Sequence, residues 1–431
     1  MKRSCIALTL VIGLSRVASA QTPQVQLPPP EKTDPVALGL MQGFPPPPDK
    51  TVTFSNVLKG ANGRWAFHHM RELGPTVNVW HGELGVKPLK AELKDLGGVS
   101  FSDDKESPAT IADWQKNTFT DGLLVLHKGK IVYEKRYSGM RPEQPHSLWS
   151  VTKSFTGLLA TMMIAEGKLD PNAKIPQYIP ELEASAWGDA TLQQTLDMTT
   201  GVQYREIFTD PKSELFQYLI AAGLLAAPVE YPGPRTLPDY LKTVKKEGEH
   251  GTGFRYKSID TEVVGWVLER VSGKSFADLV SERIWQQIGA EQDGYVWAGP
   301  TGVQVTSIGL SATLRDLGRF GEMLRMNGQV DGRQVVPKSV IDEIRKGGDR
   351  EKFKAGKFEA RNGYSYHNHW WISHDADGSF EAKGLNHQHL HVNPAAELVI
   401  VKLSSHPIGE TIFTHALDRN AFKAIAQAVR Q

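Results

Sequence analysis

The stretch that most limits what this chain can become is His146-Ser147-Leu148-Trp149-Ser150-Val151-Thr152-Lys153-Ser154-Phe155-Thr156-Gly157. It continues through Leu158, Leu159, Met162, Met163 and Ile164 to Gly167. An apolar run of that length, closed by a glycine, predicts a helix buried on most sides. With Ser150 opening the helix, Ser150 and Lys153 share one face. The serine N–H then lies at the positive helix end, where an oxyanion is stabilised. Burial disfavours the charged form of Lys153, and a neutral lysine can take the hydroxyl proton of Ser150 and release a nucleophile.

Spacing alone does not select this pair. Ser102-Asp103-Asp104-Lys105 is spaced identically, but its polar, turn-rich surroundings leave Lys105 solvated and protonated. Without the apolar helix, Ser150 would read as an ordinary N-capping serine.

The 431 residues carry a formal net charge of +1. No Lys/Arg cluster interleaved with aromatics stands out, so nucleic acid is not an expected partner. Met1-Lys2-Arg3, the apolar segment from Cys5 to Leu14 and Ala18-Ser19-Ala20 have the make-up of a secretory signal peptide over residues 1–20. That segment is too short to span a membrane, and no transmembrane segment is expected elsewhere. A periplasmic or secreted location follows. Cys5 is the only cysteine and leaves with the signal, which excludes disulfides and a thiol mechanism.

Residues 21–115 read as a proline-rich segment followed by an irregular extension. Pro28-Pro29-Pro30 and Pro45-Pro46-Pro47-Pro48 cannot nucleate a core. Residues 51–110 show little chemistry; His68-His69 is a tempting metal pair, but adjacent residues do not face one site on a helix. The main domain runs from 116 to 431. Leu123-Leu124-Val125-Leu126 and Ile131-Val132-Tyr133 flank Lys128-Gly129 as a β-hairpin. Helical segments cut by prolines form an all-α lobe over roughly 168–260. Further helices are expected at Thr261–Ser272 and Ser311–Met326. Strands follow at Tyr366–Ile372, Phe380–Val392 and Glu397–Leu403, and Glu410–Gln431 closes as a helix. A hairpin early and strands late imply an α/β fold: one antiparallel sheet built from both chain ends and flanked by helices, plus the all-α lobe.

Phe254-Arg255-Tyr256-Lys257-Ser258 precedes the helix from Thr261. A tyrosine delivered beside a lysine can carry a proton between nucleophile and leaving group; taken alone, Tyr256 reads rather as a half-buried aromatic at a helix entrance. Tyr366 is a rival, in the strand-rich tail. Ala382-Lys383-Gly384-Leu385-Asn386-His387-Gln388 supplies a third element, a strand whose Gly384 admits a substrate to the backbone. A backbone N–H there completes an oxyanion hole with that of Ser150. His387, His389 and His391 alternate and so point to one side of that strand, as zinc ligands would. Neither H-E-x-x-H nor H-x-x-E-H occurs, and no metal or other cofactor is expected.

The order S-x-x-K, then Y-x-S about a hundred residues on, then a glycine-bearing strand near the C-terminus resembles the serine β-lactamase/penicillin-recognising superfamily. Within it the chain is similar to the class C-like branch containing 6-aminohexanoate-dimer hydrolase and related esterases. Met41–Pro48, Trp149–Gly157, Leu196-Asp197-Met198-Thr199-Thr200-Gly201 and Ser311–Gly321 carry the likeness over nearly everything after the signal peptide. The resemblance implies Ser150 as acylated nucleophile, Lys153 as its proton acceptor and Tyr256 as acid/base for the leaving group. It places Ser258 near substrate, gives the backbone N–H groups of Ser150 and Leu385 to the oxyanion hole beside Gly384, and sets the site between two lobes.

Two positions depart from the family pattern. Ala382 stands where β-lactamases have the lysine of K-T-G that holds a substrate carboxylate. His387 replaces the second glycine of a G-I-H-G-Q-like stretch in the dimer hydrolases. The implied function is hydrolysis of a small-molecule amide or ester, with a β-lactamase or D-Ala-D-Ala peptidase as the alternative. A non-catalytic scaffold of the penicillin-recognising type is a third reading, against which three intact catalytic residues argue. No G-x-S-x-G occurs, which disfavours an α/β-hydrolase. The signal sequence makes a direct prediction: N-terminal sequencing of exported protein returns Gln21, and Met1 recovered from the cytosol would refute it.

Overall fold

The computed structural model describes residues 27–431 apart from 59, 87, 104–105, 208–209, 211, 358–360 and 410–413. The expected signal peptide and Lys105 therefore lie outside the described residues. The strands of the two main sheets are β1 (Thr76–Val79), β2 (Thr120–His127), β3 (Lys130–Arg136), β4 (His146–Ser147), β5 (Gly294–Trp297), β6 (Leu310–Ala312), β7 (Ser365–His367), β8 (Trp370–Ile372), β9 (Phe380–Gly384), β10 (Gln388–Asn393) and β11 (Leu398–Ser404). The principal helices are α1 (Thr152–Ala165), α2 (Ser258–Ser272), α3 (Leu314–Arg325) and α4 (His415–Arg430).

The large sheet runs β7-β8-β9-β10-β11-β2-β3, every pair antiparallel, so both chain ends meet at the β11–β2 ladder. Both faces are covered, which is why Leu123-Leu124-Val125-Leu126 is continuously apolar. Leu124, Leu126, Leu390 and Val399 pack with Leu317 and Phe320 of α3 in the main core. Leu123, Val125, Leu398 and Ile400 join Phe422, Ile425 and Val429 of α4 in a second one. Gly318 and Gly321 let α3 sit close: a Cβ would stand 2.5 Å from Leu124 Cδ2 and 2.5 Å from Val399 Cγ1 respectively. The antiparallel sheet with helices on both faces is as expected. From Lys168 to Gly253 the described residues form helical turns and isolated bridges, including the helices Glu214–Ala221 and Leu237–Thr243.

The second sheet, β1-β5-β6-β4, was not foreseen. Its edge strand β1 comes from the supposedly irregular extension, and that extension also supplies Val52, Val57 and Phe67 to the core. Several boundaries differ from the sequence reading: α2 begins at Ser258 and not at Thr261, and α4 is described from His415, the expected start at Glu410 lying outside the described residues. Tyr366–Ile372 is not one strand but the hairpin β7–β8, turning at Asn368 (φ 47°) and His369 (φ 63°). Two consecutive left-handed residues are what a tight hairpin requires. Phe380–Val392 is likewise broken, by a turn at Leu385–His387 in which Asn386 (φ 56°) and His387 (φ 71°) are left-handed. Ser311 belongs to β6, and α3 begins after Thr313, whose side chain accepts from the Asp316 N–H. Finally, Ser150 sits in a single 3₁₀ turn, Trp149–Val151, and α1 starts at Thr152.

Because His387 lies in the turn, the three histidines do not share one strand face. The His387 ring stacks on His406 at 4.1 Å and bonds Thr414 Oγ1 at 2.8 Å. His389 faces Asp418 on α4 at 3.3 Å, and His391 contacts Glu381 at 2.9 Å. His68 and His69 each bond a carbonyl one turn back, Arg64 O at 2.8 Å and Trp65 O at 2.7 Å. Among the described residues no group of His, Cys, Asp and Glu is arranged to hold a metal ion. Nor, among the described residues, is any helix long and apolar enough to cross a membrane.

Several of these histidines are buried as neutral rings. Burial pulls His68, His389 and His406 down to about 4, and His369 to about 3. In the unfolded chain the same rings titrate near their ordinary value of about 6.5. Between those values the unfolded state binds more protons, so stability is lost as pH falls from about 6.5 toward about 4. Melting temperatures measured across that range should fall continuously; a flat profile would contradict the buried neutral state.

Candidate active site

Ser150 is held on a strained turn. Trp149 adopts φ 45°, a left-handed conformation costing about 1–3 kcal/mol in a bulky residue. The surroundings enforce it: the Ser147 N–H donates to Phe67 O, the Leu148 N–H to Leu310 O, and the Trp149 ring meets Phe67 edge-on at 5.5 Å. Gly384 is part of the same clamp. A Cβ there would lie 2.4 Å from Leu148 O, so its bare face is filled by the turn carrying Ser150 and does not open toward a substrate, as the sequence suggested. Gly157 plays the equivalent part on α1, where a Cβ would stand 2.0 Å from Asn368 O of the β7–β8 turn.

One turn along, Lys153 is fully buried and its Nζ donates to Ser150 Oγ at 2.9 Å and to Ser307 O at 3.2 Å. Burial lowers its pKa to about 8, partly opposed by the charges of Glu206 and Glu262. Tyr256 closes the triangle. Lys153 Nζ lies 5.1 Å from the Tyr256 ring centre, which brings the phenol and its hydroxyl beside the Ser150–Lys153 pair. Burial pushes that hydroxyl well above the usual tyrosine range, so it is protonated at neutral pH.

Tyr256 is aimed by its neighbours. The Arg255 N–H donates to Met198 O, the Lys257 N–H to Met198 Sδ, and Lys257 Nζ to Thr200 O at 2.6 Å. The Leu196–Gly201 segment thus presents the tyrosine, while Trp371 stacks on its ring at 5.7 Å. Tyr366, the rival, is buried behind it with the rings edge-on at 6.0 Å.

Ser150 opens into a cavity of about 180 Å³. Leu385, Ser258 and Glu206 line it, with an apolar end built from Leu215, Leu219 and Leu224. Phe54, Val57 and Leu58 close another side, so the extension read as featureless forms part of the wall. Ser258 is the first residue of α2, and its N–H donates to Glu206 Oε1 at 2.6 Å. Ala382, by contrast, is packed in the core. Lys383 points to the opposite face of the sheet, where it pairs with Glu381.

Ser150, Lys153, Tyr256, Ser258 and Leu385 therefore converge, and Gly384 supports them from behind. Glu206, Glu262 and the Ser307 carbonyl escaped the sequence reading. Glu206 lies in a stretch without periodicity, Glu262 looks like one more polar position on a helix, and a backbone carbonyl has no residue signature.

The β-lactamase family model matches residues 109–423. The chain belongs to the β-lactamase family of serine hydrolases. It is 30% identical over 379 residues to 6-aminohexanoate-dimer hydrolase of Paenarthrobacter ureafaciens, covering 88% of this chain and 94% of that one. A solved Bacillus anthracis structure, proposed to be a 6-aminohexanoate-dimer hydrolase, superposes with a TM-score of 0.82 at 31% identity, covering 89% of this chain and 98% of that one. A family VIII carboxylesterase shares the fold alone, with a TM-score of 0.53 at 15% identity over 73% of this chain and 95% of its own.

The Gly384 contact yields a test. Gly384→Ala must displace the Leu148 carbonyl, an overpacking that costs about 1–3 kcal/mol. Because that carbonyl belongs to the Ser150 turn, labelling of Ser150 by a phosphonate should slow together with the loss of stability. A variant as stable and as reactive as the parent would show that the clamp does not hold the turn.

Proposed function

We propose that the protein is an exported serine hydrolase that cleaves small amides or esters through an acyl-enzyme on Ser150. The observation that carries this reading is the 2.9 Å hydrogen bond between Ser150 and a fully buried lysine whose pKa is lowered to about 8. At pH 7 roughly one such lysine in ten is neutral, enough for a general base in rapid equilibrium.

Neutral Lys153 takes the Ser150 proton as Oγ attacks the substrate carbonyl carbon. The carbonyl electron pair moves onto oxygen, between the backbone N–H groups of Ser150 and Leu385. Collapse expels the amine or alkoxide, which takes its proton from the Tyr256 hydroxyl, and the phenolate recovers one from the Lys153 ammonium. Water then releases the acyl group by the reverse sequence. A non-catalytic scaffold is disfavoured, since strain at Trp149 and a buried lysine are costs that binding alone does not require.

A small, largely apolar cavity suits a short acyl chain. Its likeness to 6-aminohexanoate-dimer hydrolases supports a linear amide substrate. β-Lactams fit less well: Ala382 is buried, Lys383 faces away, and Glu206 adds negative charge where a substrate carboxylate would approach. Export rests on the signal-like N-terminus alone.

The test is chemical. A fluorophosphonate should label Ser150, as read by peptide mass spectrometry, and Ser150→Ala should abolish labelling, while Ser102→Ala leaves activity intact. Activity should rise with pH as Lys153 loses its proton near about 8. Tyr256→Phe should slow turnover roughly 10²–10⁴-fold, amides more than esters because amines are the poorer leaving groups. Nitrocefin should be a poor substrate. An adduct on another residue of an active preparation, or efficient nitrocefin hydrolysis, would overturn the corresponding part.

A further inference from the structure

Four hydrogen-bond donors converge on one buried carboxylate that makes no contact with the nucleophile. Glu262 lies on α2 and is 4% exposed. Its Oε1 accepts from the Tyr218 hydroxyl at 2.8 Å and the Ser307 N–H at 3.2 Å. Its Oε2 accepts from the Thr306 N–H and Thr306 Oγ1, both at 2.9 Å. Ser307 Oγ adds a bond to the Tyr218 oxygen at 2.8 Å. The approach of this segment to α2 requires Gly265, where a Cβ would lie 2.2 Å from Thr306 Oγ1. The carbonyl of the same Ser307 accepts from Lys153 Nζ at 3.2 Å.

We propose that Glu262 is a positioning residue for Lys153: it fixes the Thr306–Ser307 backbone whose carbonyl holds the lysine, and it supplies a buried negative charge facing that lysine. The proposal rests on the reading of Lys153 as general base. A carboxylate with four donors is rigid, and the peptide it grips has one orientation. Ser307 O therefore meets the lysine from a fixed direction, leaving the remaining ammonium geometry to point at Ser150.

The groups facing Lys153 are few. Glu206 approaches from the cavity side, is partly exposed, and exerts the larger of the two carboxylate attractions on the lysine. Glu262 approaches from α2 and is shielded. Tyr256 and His369 stand on the remaining sides, and both are neutral near pH 7 because burial raises the first and lowers the second to about 3. Burial lowers the lysine's proton affinity, and Coulomb attraction to Glu206 and then to Glu262 opposes it. Glu262 acts on the ammonium through one peptide and not by contact, so burial still dominates.

Glu262→Gln removes the charge and sets an amide N–H₂, which cannot accept, against two of the four donors. The acid limb of kcat/KM against pH, measured with a p-nitrophenyl ester, should then move down by about one pH unit. The plateau should fall roughly ten- to hundredfold because the lysine is less well aimed, with KM unchanged. Tyr218→Phe deletes one donor and leaves the carboxylate less neutralised, so its limb should move the other way, to higher pH. A limb in Glu262→Gln that superimposes on the wild type, whatever the plateau, overturns the proposal. If circular dichroism shows that Glu262→Gln has lost the native fold, Tyr218→Phe decides: an upward move supports the proposal and an unmoved limb overturns it. Failure of the parent reading looks different, since the wild type itself would then show no acid limb or carry its phosphonate adduct away from Ser150.

Discussion

The whole site depends on burying the Lys153 ammonium without giving it a carboxylate in contact. Taking an ammonium out of water costs several kcal/mol unless it is paired. Here its hydrogen-bond partners are neutral oxygens, a serine hydroxyl and a peptide carbonyl. The unrecovered solvation is what lowers the pKa, and burial acts in the same direction on Lys383 and Lys402; what differs among the three is the partner. Lys383 is equally buried but touches Glu381, and Lys402 lies 3.9 Å from Asp418. Those lysines brace the sheet against α4 as parts of ion pairs. Lys153 alone of these three is placed to exchange a proton with a hydroxyl.

That placement explains why so much of the fold is rigid around one turn. α1 must carry the lysine into the core, so its neighbours approach until a single methylene has no room, at Gly157 and Gly384. The left-handed turn at Asn368-His369 exists to reach α1, and the left-handed turn at Asn386-His387 brings Leu385 to the cavity. His387 is the price of the second device: a ring buried on His406 and tied through Thr414 to Asp418. In the sequence it stands where the dimer hydrolases have a glycine. In the structure it packs behind the strand turn, in the interior away from Ser150.

How much was legible follows from how local each signal is. The Ser150–Lys153 relation is a helical spacing inside an apolar run, and both parts are visible in a dozen residues. Tyr256 was readable only with the family pattern, because nothing within five residues distinguishes it from a buried aromatic. The two missed hairpins share a cause: their turns use Asn-His in place of a glycine, so the alternating residues on either side read as one strand. The extension at 51–110 was misjudged because Val52, Phe54, Val57 and Phe67 are too sparse for a period of 2 or 3.6, yet each fills a place prepared by distant elements. Glu206 and Glu262 are the limiting case. Their roles are set by what lies across space, at Ser258 in one and at Thr306, Ser307 and Tyr218 in the other.

Specificity within a shared fold then reduces to charge and volume at the edge of the catalytic strand. A lysine at 382 would have to leave the core face of β9, where Ala382 packs with Leu390 and Phe380, so the substitution is coupled to core volume and not only to substrate recognition. The cavity compensates on the other side with a carboxylate, Glu206, anchored on the first N–H of α2. An anion at a helix N-terminus is stabilised by the unsatisfied N–H groups and the helix dipole, and the cation that faces this one is Lys153. The catalytic strand thus presents no cation to the cavity while the facing loop presents an anion. The field across the cavity disfavours an acidic substrate near the acyl carbon and tolerates a neutral or basic one.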